Sequence, residues 1–555
     1  MKRLMIFLAC LGMICGPAAA SQDFLKGKIL RIDLDDAVAE KGGSGVSIGL
    51  GGISLSSSTS LLSLERAIRK AESDDRIAMI FLNLDHFSAD MASLEETRQC
   101  LRSFSASGKP VVAYAASLDN SSFYLGSAAD RLFLHPKADG TLTGLGSTQY
   151  FLRDLLDKVG VEIQLIRHGK YKSAGEMYIR NDISPENREQ YEELLGSIWD
   201  CFVEEMAESR NVSAADLCSW SDSLALGTAQ TWIDKGLVDG LKYRDEMENY
   251  LCRLFGSTDP GSVRTVDIED YIDDLRKGPS SKKIAVIYAD GEIVREGGDI
   301  VGEELSRKIA AVRADPSVKA VVFRVNSPGG EVVAADMIRR EIELLGKEKP
   351  VVASYGAYAA SGGYLISAGC ERIFTDNATL TGSIGVFGLV PSIGNAVKKN
   401  LHVNLVQIGT GPHSGMRSGI APLTEEEEKW YQAQIEGVYD DFVGVVSEGR
   451  NMTREAVDSI AQGRVWSGKD ALRIGLADER GTLLDAIDYI SEKAGLNRYR
   501  IVCYPEKGSI MDSILGRDKD DDHEPLVKLF KGLQPGLNSM ALMPYMILGN
   551  PNPQK

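Results

Sequence analysis

Ser361 stands in the run Ala359-Ala360-Ser361-Gly362-Gly363-Tyr364, shortly after the β-rich run Val351–Ser354. Side chains this small suit a nucleophile at a strand-to-helix turn, because a carbonyl group can approach the hydroxyl and the backbone closely. The N–H of Gly362 can then donate to the oxyanion that attack creates. A second loop of small residues, Asn326-Ser327-Pro328-Gly329-Gly330, follows the strand-like run Ala320–Val325. Paired glycines reach dihedrals closed to other residues and can turn N–H groups toward a ligand. A hydroxyl nucleophile also needs a base. Of the six histidines, His86, His135, His168, His402 and His523 stand in no Ser-His-Asp context, and His413 remains a candidate. The other candidate is Lys172, in His168-Gly169-Lys170-Tyr171-Lys172-Ser173-Ala174. Plainer readings stand beside these. Gly329-Gly330 could be only a tight turn, Ser361 helix-packing filler, Lys172 a surface lysine and Ser383 a turn or cap residue. Glu176 reads as a structural ion-pair partner rather than an acid.

A duplication weighs against the plain readings. Pro110 matches Pro350, an offset of 240, and the offset persists. Tyr124-Leu125 meets Tyr364-Leu365, Leu165 meets Leu405, Gly169 meets Gly409, Tyr191 meets Tyr431, and Arg210-Asn211 meets Arg450-Asn451. One large domain therefore occurs twice; this is not a short-period solenoid. Upstream, Lys28-Ile29 matches Lys283-Ile284 at an offset of 255, so the first copy carries extra residues. They fall in the Gly/Ser-rich stretch Gly42–Ser60, which reads as a flexible loop. The copies differ where chemistry would sit. Asp85-His86-Phe87 replaces the glycine loop of the second copy, and Phe123 replaces Gly363. Ser121 stands at the position of Ser361, a relic of the duplication, while Pro412 stands at the position of Lys172. One copy holds the glycine loops and the serine and the other holds the lysine, as complementary halves of one site.

The elements that must position these residues read as α/β. Ile284–Tyr288, Ala320–Val325 and Val351–Ser354 are short β-rich runs, with helical spacing over Glu304–Arg313 and Val332–Leu345 between them. That alternation predicts βαβ units on a mostly parallel sheet flanked by helices. Ser184–Arg210 and Thr424–Arg450 read as long matching helices, with Ser184 and Thr424 as N-caps. The expected organisation is a leader over 1–20, a first copy over 21–240, a linker over 241–281, a second copy over 282–497 and a tail over 498–555. The tail holds an acidic run, Asp518–Glu524, and an apolar stretch, Leu526–Leu548.

Lys2 and Arg3, the apolar run Leu4–Cys15 and Ala18-Ala19-Ala20 form an export signal, cleaved or kept as an anchor. Cys15 follows Ile14 rather than a small residue, against a lipoprotein signal. The six cysteines outside the leader show no C-x-x-C and no paired histidine spacing, so neither a zinc site nor any other metal or cofactor is expected. The 555 residues are 43% hydrophobic and 25% charged, a globular balance that excludes a disordered or collagen-like chain. A net charge of −17 argues against nonspecific nucleic-acid binding.

Together the motifs Tyr171-Lys172-Ser173-Ala174-Gly175-Glu176, Asn326-Ser327-Pro328-Gly329-Gly330, Ala360-Ser361-Gly362-Gly363-Tyr364 and Thr381-Gly382-Ser383-Ile384-Gly385 closely resemble the long form of the signal peptide peptidase A family, also called protease IV. The resemblance runs from about Gly27 to Asn497. It implies tandem Clp-protease/crotonase-like domains sharing a Ser–Lys dyad. In that family's terms Ser361 is the nucleophile, Lys172 the general base, and Ser383 orients the lysine. The N–H groups of Gly330 and Gly362 form the oxyanion hole. It also implies a membrane-associated homotetramer in the bacterial cell envelope, inner-membrane associated or periplasmic, that cleaves remnant signal peptides. Met177 follows Glu176 where the family usually has proline, and the leader is shorter than the family's usual anchor. An inactive scaffold of the same fold and a crotonase-like acyl-CoA enzyme are the alternatives.

Overall fold

The computed structural model of the chain describes residues 24–34, 37–49, 52–85, 87–275, 280–505 and 540–542. The export signal, His86, His523, the acidic run and all but 540–542 of the apolar stretch lie outside the described residues.

The chain forms two compact units. Unit 1 takes residues up to Gly144 together with Trp199–Pro279, and unit 2 takes Leu145–Ile198 with everything from Ser280. In chain order the first strands are β1 (Lys28–Ile32), β2 (Ala37–Ala39), β3 (Gly43–Gly49), β4 (Gly52–Ser60), β5 (Ile77–Asn83), β6 (Val111–Ala115) and β7 (Arg131–Leu134). Then come β8 (Glu162–His168), which belongs to unit 2, and β9 (Gly240–Leu241) and β10 (Thr265–Asp267), which return to unit 1. Unit 2 continues with β11 (Lys283–Asp290), β12 (Ile293–Val294), β13 (Ile300–Val301), β14 (Val318–Ser327), β15 (Gly329–Glu331), β16 (Val351–Ala360) and β17 (Ile373–Thr375). It ends with β18 (Leu380–Gly382), β19 (Val386–Ser392), β20 (Val465–Ser467), β21 (Glu479–Arg480), β22 (Arg500–Tyr504) and β23 (Met540–Leu542).

The mixed α/β class holds, with parallel sheets flanked by helices. The unit 1 sheet runs β10-β1-β5-β6-β7-β9, and every pair in it is parallel. The main unit 2 sheet contains the matching path β22-β11-β14-β16-β17-β21, also parallel, and extends from β16 through β18 to an antiparallel β20. The duplication is thus visible as topology. Even an isolated parallel bridge, Leu118 to Gly140, repeats 240 residues on as Tyr358 to Leu380. β14 is buried on both faces along Ala320–Val325, as expected of a central parallel strand covered by helices. Thr424 caps the helix Glu425–Arg450, exchanging hydrogen bonds with Glu427. Ser184 accepts from the Asn187 N–H at the start of Pro185–Arg210.

Three sequence readings change. The Gly/Ser stretch is not a loop: β3 and β4 pair antiparallel from Gly43–Ser58 to Gly49–Gly52, and β4 also pairs with β2. Backbone pairing needs no apolar alternation, so composition alone hid it. The stretch after 241 is not a bare linker: it forms the helices Arg244–Leu254 and Ile268–Leu275, and β10, which completes the unit 1 sheet. β22, three residues beyond the expected end of the second copy, does the same for unit 2.

A second unit 2 sheet positions the site. Its order is β13-β12-β15-β23-β19-β8. β8 and β19 pair antiparallel through seven residue pairs, from Val386–His168 to Ser392–Glu162. This pairing joins residues 145–198 of the first sequence copy to the compact unit built by the second.

Candidate active site

Ser361 lies between the end of β16 and the short helix Gly362–Leu365, with φ 55° and ψ −116°. A non-glycine residue held there costs about 1–3 kcal/mol, which the surroundings must offset. Its N–H donates to Gly382 O at 2.8 Å, and its carbonyl accepts from Leu365 N at 2.9 Å. The fully buried Tyr364 anchors the helix by donating from its hydroxyl to Leu476 O at 2.9 Å. The turn places the Ser361 hydroxyl within hydrogen-bond distance of Lys172.

Gly330 lies in β15, which packs against that helix. Its φ is +154°, and a Cβ there would run into the Ile293 carbonyl, so the position admits only glycine. A Cβ at Gly363 would stand 2.5 Å from Ser327 O, so glycine here lets the helix press against the loop that carries Gly329 and Gly330. Phe123 at the matching place in the first copy removes that option. Gly362 opens the helix, so its N–H has no intrahelical partner.

Lys172 follows β8 and is fully buried, at 0% exposure. Its Nζ lies 2.8 Å from Ser361 Oγ, 3.0 Å from Ser383 Oγ and 3.1 Å from Ser383 O. A neutral amine has two N–H donors and one lone pair, and three contacts of this kind match that inventory. Burial alone pushes the Lys172 ammonium well below the ordinary lysine range. Repulsion from Arg167 or Lys170 does not contribute. Arg167 donates to Lys172 O at 2.7 Å and pairs with Glu176 at 3.1 Å, while Lys170 lies over the Tyr171 ring. Glu176 is buried and also accepts from Ser184 N and Asn187 Nδ2, each at 3.4 Å. It acts on the shape of the lysine loop.

Ser383 has φ +49°, and its N–H donates to Arg464 O at 2.7 Å, just past β18. Its hydroxyl donates to Gly463 O at 3.4 Å. His413 is elsewhere engaged: Nδ1 lies 3.1 Å from Glu427 and Nε2 3.8 Å from Glu426. The structure therefore brings Ser361, Lys172 and Ser383 together within unit 2, with the glycine strand beside them.

The model of Peptidase family S49 matches residues 103–254 and 343–497, once in each sequence copy. The chain belongs to Peptidase family S49. Protease 4 of Haemophilus influenzae is 33% identical over 83% of this chain and 78% of its own. Protease 4 of Salmonella typhi is 33% identical over 92% of this chain and 86% of its own. The chloroplastic serine protease SPPA of Arabidopsis thaliana is 32% identical over 85% and 70%. This S49 chain is thus a serine protease by family. Two residues of its site escaped sequence reasoning. A Cβ at Gly463 would stand 2.6 Å from Lys172 Cβ, and one at Gly385 would stand 3.3 Å from Lys172 Cδ. Gly385 closes the Thr381–Gly385 motif and could have been suspected; Gly463, between Gln462 and Arg464, carries no signal of its own. Among the described residues no helix is long and apolar enough to cross a membrane.

Proposed function

We propose that this S49 protease is an endopeptidase working through a Ser361–Lys172 dyad, and that it hydrolyses hydrophobic peptides such as released signal peptides in the cell envelope. The observation that carries this is the 2.8 Å contact between Lys172 Nζ and Ser361 Oγ in a fully buried setting. An ordinary lysine, with a pKa of about 10.4, is neutral in only about 0.04% of molecules at pH 7. Burial without a carboxylate partner supplies the neutral amine the chemistry needs. Neutral Lys172 takes the Ser361 proton as Oγ attacks the peptide carbonyl. The oxyanion forms beside the N–H groups of Gly330 and Gly362. Lys172 returns the proton to the leaving amine, then activates the water that releases the acyl group. Ser383 holds Nζ from the far side and so orients its lone pair.

The strand arrangement supports a substrate bound in extended form. β23 pairs antiparallel with β15, Gly330 opposite Ala541, and with β19 at Phe387. A peptide strand thus fits between β15 and β19, beside the glycine strand. Main-chain pairing of this kind binds a chain segment with little demand on its side chains. The membrane association and homotetramer that the resemblance implies belong to the same proposal.

A fluorophosphonate probe tests the dyad. Label on Ser361, lost in Ser361→Ala and in Lys172→Ala, is the expected result. Retained label in Lys172→Ala would remove the lysine as base and return His413 to consideration. A folded wild type that takes no label would favour the inactive scaffold. Incubation with synthetic signal-peptide fragments, read by mass spectrometry, tests the substrate class: cuts within the apolar segment support it, and resistance of those fragments alongside cleavage of polar peptides overturns it.

A further inference from the structure

Unit 1 holds a cavity of about 580 Å³ between its sheet and the helix Arg244–Leu254, a size within the range of about 300–1,000 Å³ typical of small-ligand sites. It lies where the strand order reverses. The chain runs outward from β1 through β5, β6, β7 and β9, then crosses back to add β10 on the other side of β1. In parallel α/β sheets, ligands bind in the crevice at the carboxyl ends of the strands beside such a reversal. The second copy does not keep this cavity's lining. Arg31 pairs with Phe81 as Val286 pairs with Val322, and Ile80 N bonds to Pro110 O as Val321 N bonds to Pro350 O. Arg31, Asp33, Asn83 and Tyr114 thus stand where unit 2 has Val286, Tyr288, Arg324 and Ser354. Those four are fully buried or nearly so, Arg324 donates to Ser354 Oγ at 2.9 Å, and the helix Leu483–Lys493 packs on β14 and β16 above them. Arg31, by contrast, keeps 38% of its side chain exposed. Charged groups on the face of a central strand cost desolvation that valine avoids, so their presence here asks for a use.

The lining offers opposite charges at two places. Asp33 is satisfied, accepting from Arg31 Nη2 at 2.6 Å and from Asn83 Nδ2 at 2.8 Å. Arg31 reaches Asp267 only at 3.9 Å through Nε, and its Nη1 has no acceptor among the described residues. This part of the cavity presents a cationic donor. Elsewhere Asp85 spends Oδ1 on the Ala116 N–H and keeps Oδ2 without a donor among the described residues. Burial, and then the nearby Asp85 carboxylate, push the Tyr114 hydroxyl above the ordinary tyrosine range. That hydroxyl has no hydrogen-bond partner among the described residues. Phe81, Met247 and Leu251 supply apolar lining. The geometry points to a binding site for a short apolar peptide with free ends, its carboxylate on Arg31 and its ammonium at Asp85 and Tyr114. The length follows from the strands. Phe81, the register partner of Arg31, and Asp85 are four residues apart, at most about 14 Å, and three extended residues span about 10 Å. Di- and tripeptides of this chemistry are among the products a protease releases. The inference does not rest on the Ser361–Lys172 dyad.

Calorimetric titration of the full chain with trileucine tests it, in a Ser361→Ala background and with mass spectrometry confirming that the peptide stays intact. Saturable binding is expected. Arg31→Met, which unit 2 shows to be compatible with the strand by placing Val286 there, should weaken it by about tenfold or more, the scale of a lost hydrogen bond to a charged group. Trileucine amide should show the same loss on the unaltered site. Asp85→Asn and N-acetyl-trileucine should each weaken binding at the other end. Circular dichroism confirms that both variants fold. Absence of saturable binding overturns the inference. So does binding that is indifferent to both Arg31→Met and Asp85→Asn, since the peptide then sits elsewhere, as in the substrate site of unit 2. Sensitivity to Arg31→Met and to the amide, with Asp85→Asn and the acetylated peptide unaffected, would make this a site for apolar carboxylates and remove the peptide.

Discussion

At the scale of single residues, the site is a buried lysine whose ammonium is pushed well below the ordinary lysine range and which is held on three sides. Lys172→Met keeps an unbranched apolar stem as far as the Cε position and removes the amine. It should lower kcat by about 10³-fold, in the range lost with a general base, while the melting temperature stays at or above that of the wild type. The second half follows from the direction of the lysine's displacement. Between its depressed folded value and its ordinary unfolded one, the unfolded chain holds a proton at Lys172 that the folded chain does not. This group therefore costs stability at low pH, and the cost is relieved as pH rises through that window. Methionine removes it at every pH. The same displacement sets the rate profile: kcat/KM should rise with pH along a limb whose midpoint lies well below about 10.4. A midpoint at the ordinary lysine value would mean that the amine is not buried in solution. Ser383→Ala should leave KM nearly unchanged and lower kcat, by up to about 100-fold if Nζ loses its aim.

At the scale of elements, much was legible and the exceptions have reasons. β11, β14 and β16 and the helices between them fell where apolar runs and helical spacing placed them, because buried parallel strands write themselves as continuous apolar runs. β3 and β4 were missed because a Gly/Ser ladder pairs through its backbone and leaves no apolar pattern. β10 was missed because three residues, Thr265–Asp267, are too few to show a period. Ser361, Lys172 and Ser383 were legible through their motifs, whereas Gly463 matters only through a neighbour distant in sequence. β23 was not legible at all, since nothing in its composition names a partner. Its place beside β15 carries a prediction. If a substrate strand uses the same slot, β23 competes with it, so a chain ending at Pro505 should bind extended peptides better. Its KM should fall several-fold with kcat little changed, as measured on a fluorogenic peptide. An unchanged or higher KM would show that substrate takes another path.

At the scale of the whole molecule, the duplication was plain in the sequence, but its consequence was not. Spacing shows that the serine lies in one copy and the lysine in the other; it does not show with which copy's strand β8 will pair. Pairing is decided by edges meeting in space, and here the edge that β8 meets is β19. The result is that residues 145–198 leave their own sequence copy and fold into unit 2, so that one compact unit of one chain holds both Ser361 and Lys172. Complementation distinguishes this from a dyad shared between neighbouring chains. Lys172→Ala and Ser361→Ala are each expected to be inactive. Co-expressed, or mixed under conditions that exchange subunits, they should remain inactive, because no assembly of the two contains a unit with both side chains. A dyad formed across chains would instead regain activity in mixed assemblies, to about a quarter of wild type for random pairing of equal amounts, since one junction in four would then join an intact serine to an intact lysine. Fluorophosphonate labelling of the mixture reads the outcome directly, because regained label on the Lys172→Ala chain, which alone retains Ser361, requires a lysine from its neighbour.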